Sequence, residues 1–165
     1  MEHRRRYHPA DFGDLQWARL LAFALERADG FECAIPYPYV VQDLAVAPLW
    51  PPELNAFQPD LVDRHVSLIR WELAHDYATQ FVRFRITPAL AGYVRAMRHL
   101  EYWSWQRGAP EDPTLYEGNA VVLATESVDG RIAVYADAAD VAILNDHGIR
   151  LIEPLGLKAE PWPTP

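Results

Sequence analysis

The stretch TQFVRFRITP, residues 79–88, decides how the middle of this chain folds. Its side chains alternate in character, which is the pattern of a β-strand with two unlike faces. One face carries the apolar residues Val82, Phe84 and Ile86. The other face carries Phe81, Arg83 and Arg85. The pattern therefore predicts a strand over residues 79–86, with two guanidinium groups projecting from the same side.

The residues after this strand predict a helix. Thr87 is a good N-cap, and Pro88 fits the first helical position. Apolar residues then recur at helical spacing as far as Arg107, and Gly108 suits the left-handed residue that ends many helices. One continuous helix is predicted over residues 88–107.

Three further elements are predicted upstream. An apolar stripe predicts a helix over residues 14–28, and FECAI, residues 31–35, then predicts a strand. Residues 61–77 predict a second helix, with Asp60 as its N-cap. The buried face of that helix is expected to consist of four apolar residues at helical spacing: Val62, Val66, Ile69 and Leu73.

Downstream, a polar turn, a hairpin, a short helix and a last strand are predicted, in the ranges 109–118, 119–127 with 131–137, 138–147 and 149–155. The hairpin follows from Asp129-Gly130, which supplies the positive φ that a tight turn needs. Asp137 is a suitable cap for the short helix, and Gly148 is a suitable end.

These elements predict a single α+β domain over residues 1–165. Its sheet is expected to be mixed or antiparallel, with four to five strands and about four helices packed mainly on one face. Three segments are expected to lie outside the regular elements: a basic arm over residues 1–9, a proline- and aromatic-rich loop over 36–59, and a proline-rich tail over 156–165.

Composition narrows the possible partners. The chain has 165 residues, half of them hydrophobic, and a net charge of −8. This charge disfavours binding to nucleic acids or to anionic membranes, because their phosphates would be repelled. Cys33 is the only cysteine, which excludes an internal disulfide and a paired-cysteine metal site. The expectations are a cytoplasmic location and neither a cofactor nor a metal.

A basic island nevertheless stands in the middle of this acidic chain. Between Phe81 and Arg107 there are five arginines and a single acid, Glu101. If the helix stripe lay beside the strand arginines, it would form a site for a phosphate- or carboxylate-bearing ligand. The residues of that site would be Arg83, Arg85, Arg95, Arg98, His99 and Tyr102. The structural alternative is that these arginines pair with acids of the same chain and with the helix dipole.

A weaker acid–base set falls in residues 61–77. On a helix, His65, Glu72 and Asp76 would share one stripe, with His75 beside it. A histidine between carboxylates can act as a general base. The structural alternative is a polar helix face, and no recognisable nucleophile, phosphate loop or zinc motif accompanies the set. The sequence therefore leaves the catalytic residues unknown, with these four residues as weak acid–base candidates.

The visible features favour a binding function. Aromatic residues of the kinds enriched at interfaces make five partner-binding candidates: Tyr37, Tyr39, Trp50, Trp103 and Trp105. The leading hypothesis is a small acidic protein that binds a partner protein, and charge favours a basic partner that it would inhibit or neutralise. The alternative is an enzyme or sensor that binds a small anionic ligand through the arginine cluster.

Overall fold

The computed structural model describes residues 4–36, 50–70, 73–127 and 129–154, with the backbone alone at 36, 67–70, 73–78 and 105. Residues 37–49 of the predicted loop and the predicted tail over 156–165 lie outside these ranges. None of the helices in the described ranges has the length and apolar character needed to span a membrane.

Eleven helices and strands follow one another in these ranges. In chain order they are β1 Arg5–Pro9, α1 Asp14–Leu25, β2 Gly30–Pro36, β3 Leu61–Arg70, β4 Leu73–Arg85, α2 Pro88–Ala96, β5 Glu111–Glu117, β6 Ala120–Glu126, β7 Arg131–Ala136, α3 Ala138–Asp146 and β8 Leu151–Ile152. Short 3-10 segments cover Pro52–Asp60, Leu100–Tyr102 and Trp105–Arg107. The strands form one sheet in the order β3-β4-β2-β5-β6-β7-β1-β8, and every neighbouring pair is antiparallel.

The predicted fold class is wrong in its sheet, which has eight antiparallel strands in the described residues rather than four to five. The three additional strands come from segments that were expected to be a basic arm, a helix and a polar turn. They are β1, β3 and β5. The predictions for α1, α3 and the β6–β7 hairpin are confirmed within a few residues, and Gly130 at the hairpin turn has a φ of 64°.

Residues 61–77, predicted to be a helix, lie mostly in the β3–β4 hairpin. The spacing of their apolar residues fits a helix, but Val62 and Val66 are 66% and 45% exposed instead of buried. β-branched residues lose little in a strand and are restricted in a helix, so Val62, Val66 and Ile69 favour the strand. Asp60 caps no helix here, since its carboxylate contacts Arg85 and Thr87 instead.

The predicted helix over 88–107 ends early, at Ala96. The backbone leaves helical geometry at Met97, with ψ of 69°, and the Met97 carbonyl accepts a hydrogen bond from Trp17 Nε1 at 2.9 Å. Trp103 is completely buried, with ring centroids 5.7 Å from Phe31 and 6.1 Å from Tyr93. Turning the chain inward at Met97 is what brings this indole into the core.

β5 was missed because it contains a proline in the interior of the sheet, where proline is normally excluded. The pairing of β2 with β5 is irregular between Glu32 and Ala34, opposite Pro113. Asp112 adopts a left-handed φ of 53° at this irregularity. Its carboxylate accepts hydrogen bonds from the backbone N–H and the hydroxyl of Ser127, at 2.7 Å and 3.0 Å. A bulge therefore accommodates the proline.

The sheet has two different faces. The helix face carries the main core, in which residues of α1, α2 and α3 pack with Phe31, Val82, Phe84 and Leu115. The opposite face, called the far face below, carries a smaller buried cluster formed by Tyr116, Val121 and Ala124 with Tyr135 packed against it. Because side chains alternate along β4, Arg83 lies on the far face while its neighbours Val82 and Phe84 lie on the helix face.

A pair of valine-to-threonine substitutions tests this arrangement. Val82→Thr is expected to lower the free energy of unfolding by about 1–3 kcal/mol, because it places a hydroxyl in the main core. Val62→Thr is expected to change it by less than about 0.5 kcal/mol, because the side chain is exposed. Urea unfolding followed by circular dichroism measures both, and a large loss from Val62→Thr would contradict the hairpin.

Candidate functional site

Arg83 is held by the fold on the far face of the sheet. Its guanidinium carbon lies 4.1 Å from the centroid of the Tyr116 ring, and Nη2 donates to the Gly118 carbonyl. Glu32 stands directly opposite on β2, is buried, and accepts a hydrogen bond from the Tyr116 hydroxyl at 3.1 Å. The guanidinium is thus engaged by an aromatic ring and a backbone carbonyl.

Arg85 has a different environment at the end of β4. Its side chain is 68% exposed, and Nη2 lies 3.3 Å from Asp60 Oδ1. An ion pair this exposed contributes at most about 1 kcal/mol, because water screens it and two long side chains must be ordered. The two strand arginines do not form a common clamp.

The predicted arginine stripe of the following helix is divided by the early end of α2. Arg95 and Arg98 are exposed, and neither has an ion-pair partner among the described residues. His99 lies 2.7 Å from Asp14 through its Nδ1 atom and contacts the Tyr102 ring at a centroid distance of 4.5 Å. His99 and Tyr102 therefore lie beside the N-terminus of α1.

The structure does not bring the strand and helix arginines together. The buried residues of α2 pack with Val82 and Phe84 on the helix face, whereas Arg83 contacts Tyr116 on the far face. The sheet itself separates Arg83 from Arg95 and Arg98. The six residues of the predicted anion site consequently lack the shared surface on which that prediction depended.

The acid–base set also loses its geometric basis, because the helix that would align it is absent. The His65 ring stacks on Phe81 at a centroid distance of 5.3 Å, and its Nδ1 atom is 3.5 Å from Asp63 Oδ2. Glu72 lies outside the described residues, as do the side chains of His75 and Asp76. No group of three potential metal ligands occurs in the part of the chain that the structure describes.

Two partly buried tyrosines have shifted pKa values. Burial raises the pKa of Tyr93 above its usual range, and the nearby Cys33 and Glu53 add to the rise. Burial also raises the pKa of Tyr135, against an opposing effect of Arg6. Both phenols therefore remain protonated at neutral pH, which is not the state required of a general base.

The aromatic partner-binding candidates occupy unlike environments. Trp103 is fully buried and is corrected to a core residue, since it has no surface with which to contact a partner. Tyr37 and Tyr39 lie outside the described residues, and so does the side chain of Trp105. Trp50 is half-buried, and its Nε1 atom donates to Asn55 Oδ1 at 3.0 Å.

Trp50 and β3 together form a candidate interface, called the β3 edge below, which consists of Trp50, Val62, Arg64 and Val66. Among the strands that the structure describes, β3 is the outermost on its side of the sheet, and Val62 and Val66 are exposed. The Arg64 guanidinium lies 4.7 Å from the centroid of the Trp50 ring, and its Nη2 atom donates to Gln58 Oε1 at 2.9 Å. Sequence reasoning missed this edge because it predicted Val62 and Val66 on the buried face of a helix.

Comparison with known proteins identifies no relative: no protein-family model, curated protein or solved structure matches the chain.

The contrast between Arg83 and Arg95 gives a test of their roles. Arg83→Met is expected to lower the free energy of unfolding by about 1–3 kcal/mol, because it removes a cation–π contact and a charged donor from a carbonyl. Arg95→Met, the matched control, is expected to change it by less than about 0.5 kcal/mol. Urea unfolding measures both. Equal stability of Arg83→Met and the parent would show that Arg83 is free for another role.

Proposed function

We propose that this protein acts by binding a partner protein, and that an extended segment of the partner adds to the sheet along β3. The observation that carries the proposal is a ten-residue edge strand with Val62 and Val66 exposed at 66% and 45%. The outer side of an edge strand presents backbone donors and acceptors that a further strand can pair with. This mode of recognition uses main-chain hydrogen bonds for affinity and alternate side chains for specificity.

The two edges of the sheet differ in a way that supports this role. β8, at the opposite edge, is only two residues long, and short edge strands are a common protection against unwanted pairing. β3 has ten residues, and its exposed charged residues Asp63 and Arg64 stand between two exposed valines, Val62 and Val66. The two charges protect this edge only in part. A long edge strand with exposed valines favours aggregation in a protein that remains alone, whereas in a protein that binds another it offers a surface for strand pairing.

Trp50 and Arg64 supply the side chains expected at the centre of an interface. Tryptophan and arginine are enriched among residues that contribute most to binding. Both are already ordered, Trp50 by Asn55 and Arg64 by Gln58. Residues that are fixed before association lose less conformational entropy when the partner arrives.

The net charge of the chain indicates the kind of partner. A net charge of −8 repels a second copy of the chain and attracts a basic protein. Opposite fields also accelerate association and favour an inhibitor or neutraliser of the basic partner. We therefore assign the β3 edge to a basic partner protein.

The test compares two double variants that change charge equally. Val62→Lys/Val66→Lys is expected to weaken binding to the partner by at least about tenfold, because lysines on an edge oppose strand addition. Leu15→Lys/Ile143→Lys adds the same charge at exposed apolar positions on α1 and α3 and is expected to keep most of the affinity. The partner is isolated from native extract with the parent protein, and the affinities are measured by calorimetry.

Two results would contradict the proposal. One is an equal loss of affinity in both double variants, which would attribute binding to charge alone. The other is a dimer of the parent protein that only Val62→Lys/Val66→Lys dissociates, which would make a second copy the occupant of the edge. Sedimentation of the three proteins without the partner distinguishes the second result.

A further inference from the structure

A cavity of about 220 Å³ lies on the far face of the sheet, between β1 and the β6–β7 hairpin. Ala124 and Ala133 are among its lining residues, and they are direct partners across β6 and β7. Because both side chains are small, they leave room above the sheet at this point. The charged or titratable residues of the lining are Arg6 and His8 of β1 and Glu126 and Arg131 of the hairpin.

Arg6 provides the main evidence for a bound ligand. Its Nε atom is buried and has no hydrogen-bond partner, and its guanidinium has no ion pair among the residues that the structure describes. A buried donor without an acceptor is costly, and more so when it carries charge. An oxygen of a bound anion would supply the missing acceptor.

The other polar residues leave the cavity positive. Arg131 Nη1 lies 3.1 Å from Glu126 Oε2, so these two charges compensate each other. His8 Nδ1 is 2.7 Å from the Ile132 carbonyl oxygen. Since a carbonyl only accepts, Nδ1 must carry the proton and donate it. Glu126 is engaged by Arg131 and His8 carries no negative charge, so the positive charge of Arg6 remains uncompensated. This small region is therefore positive, whereas the chain as a whole is acidic.

The size and the apolar part of the lining define the rest of the ligand. A cavity of about 150 Å³ accommodates benzene, so 220 Å³ accommodates a six-membered ring with one carboxylate. Phe12, 40% exposed, lines the cavity together with the two alanines and offers apolar contact. A planar carboxylate matches the paired donors of a guanidinium.

We propose that this cavity binds a small monocarboxylic acid with a ring or a branched aliphatic tail, and that Arg6 pairs with its carboxylate. This site is distinct from the four strand and helix arginines considered from the sequence, and it does not depend on the β3 edge. The occupant is a molecule of the size of benzoate, held by one charge pair and by apolar contact.

Titration of the protein with benzoate tests the proposal, with benzamide as the uncharged analogue and inorganic phosphate as the anion without a ring. Calorimetry is expected to show saturable binding of one benzoate per chain. Benzamide and phosphate are each expected to bind at least about tenfold more weakly, because each lacks one of the two contributions. In amide NMR spectra, benzoate is expected to shift signals of β1, β6 and β7.

Four single variants test the contribution of individual residues to this site. Arg6→Met is expected to weaken benzoate binding at least tenfold. Arg5→Met is the matched control, because Arg5 is the preceding residue, is exposed, and lies 3.4 Å from Glu153 rather than in the cavity. Glu126→Gln is expected to tighten binding several-fold, because it releases Arg131 from its ion pair. Ala133→Leu is expected to abolish binding by filling the cavity.

Three outcomes would overturn the proposal. They are no saturable binding of benzoate at millimolar concentration, equal binding of benzoate and benzamide, and NMR shifts confined to residues away from β1, β6 and β7. The NMR result is obtained on the parent protein, so it decides the location even if a variant fails to fold. Melting temperatures of all variants establish which of them are folded.

Discussion

The fold depends on the burial of two indoles, Trp17 and Trp103, between the helices and the sheet. Both are completely inaccessible to solvent. Burying an indole contributes about 4–6 kcal/mol at ordinary values of buried area and free energy per area. Trp103 Nε1 is buried without a hydrogen-bond partner, which costs about 1–3 kcal/mol. The balance favours burial even with an unsatisfied donor.

This burial determines the path of the chain after α2. A helix continued to Arg107 could not also turn Trp103 toward Phe31, so the chain leaves helical geometry at Met97. The Met97 carbonyl accepts a hydrogen bond from Trp17 Nε1, so one indole stabilises the break that the other requires. The positions of Arg98 and His99 follow from this break. The packing of the apolar core therefore separates Arg98 and His99 from Arg83, although the sequence pattern predicts these residues on one surface.

The limits of sequence reasoning follow from the same competition between local pattern and burial. Residues 79–86 were predicted as a strand because their alternation is unambiguous. Residues 61–77 were not, because apolar spacings of three and four residues fit a helix, and only the β-branched character of Val62, Val66 and Ile69 favoured a strand. Trp103 on a predicted helix gave no signal that it would end that helix. Contacts remote in sequence decide such cases.

β1 illustrates a different limit. The run RRYH looks like a solvated basic arm, and nothing local shows that Tyr7 pairs opposite Val134, more than a hundred residues away. Once β1 enters the sheet, alternation places Arg6 and His8 on the far face and Tyr7 against the main core. The cavity exists only because a remote strand supplies its arginine. No short-range sequence motif predicts this cavity.

The topology also separates the two proposed binding regions. Six neighbouring-strand steps lie between β3 and β1, which corresponds to roughly 29 Å along the sheet. This distance is several times the Debye length of about 8 Å at physiological salt, so a charge bound at one region hardly affects the field at the other. Energetic coupling would have to pass through the strands between them and the shared core. A small acid bound beside β1 would accordingly stabilise the folded chain as a whole, while the affinity of the β3 edge for a partner would stay nearly constant.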